Sequence, residues 1–464
     1  MKAEEKFRTD SKQVTQRLEY RKWMQKGLRG YETTREKTQQ RYRDYQNSKD
    51  VAAAIKWDVI EHLDQYLEQF SQRLEEHGTK VFWARSGVEA SQYILRVARE
   101  HRAQSVVKSK SMTTEEIHLN DALEQEGYQV VESDLGEFIV QLRKETPYHL
   151  VFPAMHLKRG EISETFKRKL GSRSTDNPEE LTMIARRTLR KAFCQADVGI
   201  TGANFGIAET GMISITENEG NARLTMSLPK VHIAVMGIEK LLPRLEHLAL
   251  FLPMLAAAGT GQALTCYNSM IGGPRQPGES DGPEEFHVVL LDNHRTRLLA
   301  DPEQRDALRC IRCGACLNVC PVFKNVGGQT YGTTYQGPIG SVITPHLRGL
   351  QDWKHLSFAS SLCGACTDTC PVKIDLHHHL LRNRQKAVEK NPDFFQKILF
   401  KAFAATMTRP ALYLLASRAI RLFLPIFKIV EGSPLDPFKA WTATRTFPSL
   451  PSETFKTYWR HRGS

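Results

Sequence analysis

Two cysteine runs between residues 310 and 371 constrain this chain more than anything else in it. The first reads Cys310-x2-Cys313-x2-Cys316-x3-Cys320-Pro321, the second Cys363-x2-Cys366-x3-Cys370-Pro371. Two-residue gaps let a tight loop wrap three thiolates around one face of an inorganic cluster. A fourth cysteine, three residues on and followed by Pro, is carried away toward a second cluster. Gly314 and Gly364 suit the sharp turn that such wrapping needs. The ligand sets are therefore expected to cross. Cys310, Cys313, Cys316 and Cys370 would hold one iron–sulfur cluster, and Cys320, Cys363 and Cys366 the other. Structural zinc takes four ligands, usually as two CxxC pairs, and explains neither the extra cysteines nor the two prolines. The spacing predicts a helical, ferredoxin-like module with two clusters, both expected to be [4Fe–4S].

One position departs from the pattern. Aligning the second run on the first places Ser360 where the opening cysteine would stand, so the second cluster has three cysteines. It is then a [4Fe–4S] cluster with a non-cysteine or solvent ligand, Ser360 among the candidates, or a [3Fe–4S] cluster. Cys194 and Cys266 lie in other segments and are expected to be small buried hydrophobes. His377-His378-His379 is expected to be a solvated helix face rather than a metal site.

A chain of 464 residues exceeds what one hydrophobic core usually serves, so several domains are expected. Residues 1–60 read as an N-terminal helical segment: charged, almost free of Pro and Gly, with apolar residues at helical spacing around Ala52, Ile55 and Trp57. Residues 61–297 alternate β-like runs (Val81–Trp83, Ser105–Val107, Tyr128–Val131, Leu150–Phe152, Met212–Thr216, Val231–Met236, Val288–Leu291) with helical stretches near 88–102, 114–126 and 178–195. Such alternation predicts an α/β domain with a parallel sheet. Gly272–Glu285 reads as an exposed loop. Residues 298–385 form the cluster module, and 386–464 a C-terminal helical region with an extended tail carrying Pro448, Pro451 and Trp459. Ala411–Val430 is apolar but broken by Arg418, Arg421, Pro425 and Lys428, which suits a buried or docking helix better than a membrane-surface one.

Charge collects at the ends. Residues 1–45 carry 13 Lys/Arg against seven Asp/Glu, and residues 391–464 carry 11 against four. The absence of a nucleic-acid motif argues against that class of partner and leaves a solvated basic surface, with docking or peripheral membrane contact as the alternatives. With no long uncharged apolar stretch and no apolar core in the opening MKAEEKFRTD, a cytoplasmic protein is expected, where cysteines serve metal rather than disulfides.

In the α/β part, Gly199, Gly202 and Gly206 could admit an anion to the backbone or simply serve tight turns, and Glu209 sits in a turn. Glu217, Glu219, Asn221 and Arg223 follow a strand. Lys108 to Glu116 follows another and opens a helix, with Thr113 or Thr114 as N-cap. Helix starts after parallel strands are where such folds place ligands.

The stretches KSKSMTTEEI, ITGANFGIAETGMISITENEGNARL and DGPEEFHVVLLDN resemble the LUD domain. Together with CIRCGACLNVCPVF and SSLCGACTDTCPVKI, nearly the whole chain resembles the lactate utilization protein B family. That resemblance implies a central domain similar to NagB/RpiA/CoA-transferase-like folds. It implies a component of a multi-protein system that oxidises L-lactate to pyruvate, acting as electron carrier rather than sole catalyst. It implies as partners a cysteine-rich-domain protein and a second LUD-domain protein. The missing cysteine of the second run is also similar to this family. No flavin or nicotinamide fingerprint is present, and no catalytic residue is assigned. The alternative makes the central domain a ligand-binding or acyl-CoA-type transferase site with redox-sensing clusters.

Overall fold

The computed structural model describes residues 2–429 and, beyond them, 432–434, 436, 438–442, 445, 451 and 453–462. The chain divides into one unit spanning Met1–Ala387 and another spanning Val388–Ser464.

The first unit opens with four helices, Ala3–Gln16, Leu18–Gln39, Tyr45–Glu61 and Leu63–Glu76. Their inward faces bury Met24, Leu28, Ala52, Ile60 and Phe70. Part of their charge is spent within the chain rather than on solvent or a partner. Lys56 is buried and donates to the carbonyls of Glu239 (2.6 Å) and Leu241 (3.0 Å). Glu32 pairs with Lys324 at 2.7 Å, and Lys49 donates to the Asp368 carbonyl at 2.7 Å. These helices therefore clasp the cysteine region.

Ten strands follow among the described residues: β1 (Lys80–Ala84), β2 (Ser105–Lys108), β3 (Gln129–Glu132), β4 (Val198–Gly202), β5 (Phe205–Ile207), β6 (Met212–Glu217), β7 (Val231–Gly237), β8 (Leu241–Leu242), β9 (Tyr267–Ile271) and β10 (Glu285–Leu291). Six form a parallel sheet in the order β1-β10-β7-β4-β2-β3. β7 and β10 are almost entirely buried, as strands covered on both faces must be. Leaving out the edge strand β1, the order is the 2-1-3-4-5 of a doubly wound sheet. Its direction of growth reverses between β2 and β4, so the crevice beyond their carboxyl ends is the natural ligand position.

Two segments depart from the sequence reading. Met212–Glu217 is not in the parallel sheet but is β6 of a second sheet, β8-β5-β6-β9. The short link from β5, ending in Gly211 at φ +66°, allows only an antiparallel return. Leu150–Phe152 is a loop, not a strand, between Pro147 and Pro153. Its backbone serves side chains instead. The Val151 N–H donates to His149 Nδ1 (3.0 Å), and its carbonyl accepts from Lys110 Nζ (3.0 Å).

A buried chain of charge joins the sheet to the cysteine module. Arg295, after β10, donates through Nε to Glu239 after β7 (2.7 Å) and through Nη1 and Nη2 to Glu116 after β2 (2.9 and 2.8 Å). Arg312 of the first cysteine run donates to the other oxygen of Glu239 at 3.1 Å. Tyr335 donates to Glu116 at 2.5 Å, and its ring lies 4.7 Å from the Arg312 guanidinium carbon. Burial works to raise Glu239, but Arg295 and Arg312 overcome it and hold the carboxyl at about 2.

In the second unit, helices Phe394–Thr408 and Pro410–Ile429 meet at Arg409, whose extended backbone before Pro410 ends the first. Phe394, Phe400 and Phe403 are exposed, as are Leu415 and Leu422 of the apolar segment, so of the buried and docking readings of that segment these two residues fit docking. Among the described residues no single helix is long and apolar enough to cross a membrane. Part of the tail is helical (Phe455–His461) rather than extended. Val430 and Pro448 lie outside the described residues.

Replacing Arg295 by Met should leave Glu116 and Glu239 without their main partner in the interior and cost about 3–5 kcal/mol. Denaturant unfolding of the wild-type and R295M proteins, loaded with iron alike, measures the difference. A loss under about 1 kcal/mol would mean that the network carries little.

Candidate functional site

The two cysteine runs fold as a local repeat. Arg312 and Leu362 take φ of +60° and +54°, and Gly314 and Gly364 follow at +81° and +82°. Left-handed residues on either side of Cys313 and of Cys363 turn the chain back on itself, and glycine removes the Cβ clash at the second. Each glycine then opens a one-turn helix, Ala315–Val319 or Ala365–Thr369. Cys320 and Cys370 leave these helices in extended backbone, directly before Pro321 and Pro371. In the first run the Arg312 N–H donates to Cys310 Sγ (3.4 Å), and in the second the Leu362 N–H donates to Ser360 Oγ (3.1 Å). Ser360 thus occupies the local position that Cys310 has in the other run.

Space draws Cys370 of the second run to three cysteines of the first. Cys310, Cys313, Cys316 and Cys370 line one small cavity walled by Leu150, Ile311, Ile339, Val372 and Ile374. Cys320, Cys363 and Cys366 lie within electrostatic reach of one another. Burial pushes the Cys313 and Cys316 thiols up, Cys366 up to about 12 and Cys370 up to about 11. Bare thiolates are unfavourable in such a shell, and a metal centre that shares their charge relieves the cost. The four-sulfur lining contains no carboxylate or imidazole, so its donors fit an iron–sulfur cluster.

The other candidate residues sit elsewhere. Cys194 and Cys266 are exposed, not buried, the first near the end of helix Pro178–Gln195 and the second in the loop before β9. The histidine run is only partly solvated. Helical periodicity turns His379 inward against Asp306, while His377 Nδ1 shares a hydrogen bond with Thr367 Oγ1 (2.7 Å) and His378 Nδ1 donates to Asp375 (2.7 Å).

A second cavity, of about 350 Å³, lies beyond the carboxyl ends of β2, β3, β4 and β7. Ser109, Lys110, Ser111, Asp134, Asn204 and Lys240 line it on the sheet side, and Arg312 and Cys313 form its wall on the module side. The two polar clusters read from the sequence converge here, through Lys110 and Ser111 from one and Glu217, Glu219 and Asn221 from the other. Ser111, rather than Thr113 or Thr114, caps the helix Met112–Glu116 by accepting the Thr114 N–H at 3.3 Å. Glu217 accepts from the N–H groups of Ala222 (2.7 Å) and Arg223 (2.8 Å). Of Gly199, Gly202 and Gly206, Gly202 alone lines the cavity. Gly199 serves close packing, since a Cβ there would stand 1.9 Å from the Thr225 carbonyl oxygen. Glu209, in the turn between β5 and β6, accepts the N–H of the distant Leu245 at 3.0 Å. Sequence reasoning does not single out Lys240, Arg312 or Asp134. The usable signal was their place just after a strand end or inside the cysteine loop.

A parallel sheet carrying a ligand-sized crevice, joined to a two-part cysteine module, defines a LUD-domain iron–sulfur protein. Residues 67–291 match the LUD domain, 306–374 the 4Fe-4S dicluster domain, and 373–464 the lactate utilisation protein B C-terminal model. The chain belongs to the lactate utilization protein B family. Proteins of that name from Bacillus licheniformis (45% identical), Bacillus velezensis (46%) and Oceanobacillus iheyensis (46%) each align over 90% of this chain and 88–89% of their own length. A solved DUF162 family structure from Deinococcus radiodurans covers 49% of this chain and 98% of its own at 15% identity, with a TM-score of 0.28.

The grouping of sulfurs across the runs yields a crossed expectation. Cys370→Ala should deplete the centre bounded by Cys310, Cys313 and Cys316, and Cys320→Ala the one bounded by Cys363 and Cys366. Ser360→Cys should alter only the latter. Iron counting and EPR of the three variants check this; each cysteine loss falling on its own run's centre would contradict it.

Proposed function

We propose that this chain is the iron–sulfur electron carrier of a multi-protein system that oxidises L-lactate to pyruvate and so supports growth on lactate. The observation that carries the reading is the one cavity lined by Cys310, Cys313, Cys316 and Cys370, which shares Cys313 with the ligand-sized crevice. In this reading Cys310, Cys313, Cys316 and Cys370 hold a [4Fe–4S] cluster. Cys320, Cys363 and Cys366 hold a second, either [4Fe–4S] with a non-cysteine ligand at or near Ser360, or [3Fe–4S]. When bound, such clusters supply one-electron transfer, so two of them suit a two-electron oxidation.

The chain's own residues seat and insulate those centres. Leu150, Ile339, Val372 and Ile374 keep water from the first group, and Arg312 places a fixed positive charge beside Cys310. The division of labour follows the sequence: a helical clasp at 1–60, a LUD domain of NagB/RpiA/CoA-transferase-like fold at 61–297, the module at 298–385 and a docking region at 386–464. The partners are a cysteine-rich-domain protein and a second LUD-domain protein, the location is cytoplasmic, and membrane contact is at most peripheral. The 350 Å³ cavity favours one element of the alternative, a ligand-binding role for the LUD domain.

Mixing the iron-loaded chain anaerobically with its two partners and L-lactate should bleach its visible cluster absorbance and develop the EPR signal of reduced clusters. A Cys313→Ser protein should lose most of that response. A fully responsive assembly with this chain's clusters still oxidised would contradict the carrier role.

A further inference from the structure

Around the buried pair Glu116 and Glu239, on one side of the crevice, cations outnumber carboxylates. Lys56, Lys240, Arg295 and Arg312 gather about two carboxylates, Glu116 and Glu239. Lys56 and Arg312 feel the Cys310 sulfur as well, whereas Lys240 stands on the crevice wall. Lys240 Nζ spends one N–H on the Ala203 carbonyl (2.8 Å), and burial pushes the amine down to about 8. The Arg312 side chain is nine-tenths buried, and its Nε and Nη1 have no hydrogen-bond partner. A buried guanidinium with free donors is costly unless something accepts from it, and Arg312 lines the crevice. Lys110, on the same wall, is already partly matched by Asp134 at 3.7 Å.

We propose that the crevice binds a small organic anion, a carboxylate or phosphate ester, whose oxygens accept from Arg312 and Lys240, and that the bound charge is felt at the adjoining Cys310–Cys313–Cys316–Cys370 centre. Size agrees, since about 350 Å³ falls within the range of small-molecule pockets. Position agrees, since the crevice lies at the reversal point of the sheet. Chemistry agrees, since Arg312 and Lys240 line one crevice, and a guanidinium N–H and a lysine N–H can each donate to an oxygen of a single anionic group. The coupling follows from shared walls: Leu150, Arg312 and Cys313 line both this crevice and the four-sulfur cavity. Asp134, Glu217 and Glu219 line the opposite side, which favours one anionic group per ligand and hydrogen-bond donors beyond it. The binding half rests on the crevice alone; the coupling half rests on the cluster reading above.

The test uses the full-length, iron-loaded protein under anaerobic conditions, titrated separately with pyruvate and with inorganic phosphate, by calorimetry and by EPR of the reduced clusters. Saturable binding of one of the two is expected, with a changed signal from the centre that Cys370→Ala depletes. Preference for pyruvate identifies the carboxylate source and preference for phosphate the phosphate source. Lys240→Gln should weaken binding at least tenfold. Asn218→Asp, which adds a negative charge at the exposed rim without disturbing the interior, should weaken it severalfold. Lys230→Gln, an exposed lysine outside the crevice, should leave it unchanged. No saturable binding of either probe, or binding indifferent to both crevice variants, overturns the site. Binding without any change in the EPR signal overturns the coupling. Calorimetry needs no lactate-derived electrons, so loss of the carrier reading would leave a measured binding site standing.

Discussion

Two arginines and two glutamates held out of water decide where the cysteine module sits. Burying such groups is expensive, and the expense is recovered only where geometry satisfies their donors and acceptors. Here Arg295 is bidentate on Glu116 and also donates to Glu239, leaving the second oxygen of Glu239 for Arg312. Glu116, Glu239 and Arg295 follow β2, β7 and β10, so the carboxyl edge of the sheet supplies three of the four charges. The fourth belongs to the loop that carries Cys310 and Cys313. One electrostatic unit therefore fixes the sulfur-lined cavity against the end of the sheet where a ligand is expected.

That placement gives the fold its functional logic. A doubly wound sheet offers a crevice at its reversal point, and a cysteine module offers a soft, apolar, multi-sulfur pocket. Set apart, each would be an ordinary binding element. Sharing Leu150, Arg312 and Cys313, they set the proposed anion site and the four-sulfur cavity on the two sides of one wall. The N-terminal helices reinforce the arrangement, because Lys56 bonds the backbone beside Glu239 while Lys49 and Glu32 bond the module.

What could be read from the sequence was what depends on neighbours along the chain. Two-residue gaps between Cys310, Cys313 and Cys316 set a loop geometry by covalent reach alone, and the structure repeats it around Cys363 and Cys366. The strand–helix alternation was equally legible through its periods, including the helix Pro178–Gln195 with its Asn177 cap and Pro at the first turn. Sheet membership was not: Met212–Glu217 has the composition of a buried strand in either sheet, and only the length of its link to β5 decides. Leu150–Phe152 has strand-like residues, yet the prolines around it and the Lys110 side chain claim its backbone. The exposure of Cys194 and Cys266 and the burial of His379 depend on which helix face or loop meets a neighbour. The charge network was least legible, because Glu116, Glu239 and Arg295 come together from positions more than 50 residues apart, each unremarkable in its own segment.

The central claim is that the charge network and the four-sulfur centre behave as one electrostatic unit, and a redox titration followed by EPR tests it most directly. Glu239 puts a negative charge one arginine away from Cys310, and a nearby negative charge disfavours adding an electron. In a Glu239→Gln protein the midpoint potential of the centre bounded by Cys310, Cys313, Cys316 and Cys370 should rise, while that of the centre bounded by Cys320, Cys363 and Cys366 stays where it is. Equal shifts of both centres, or none in either, would contradict the account.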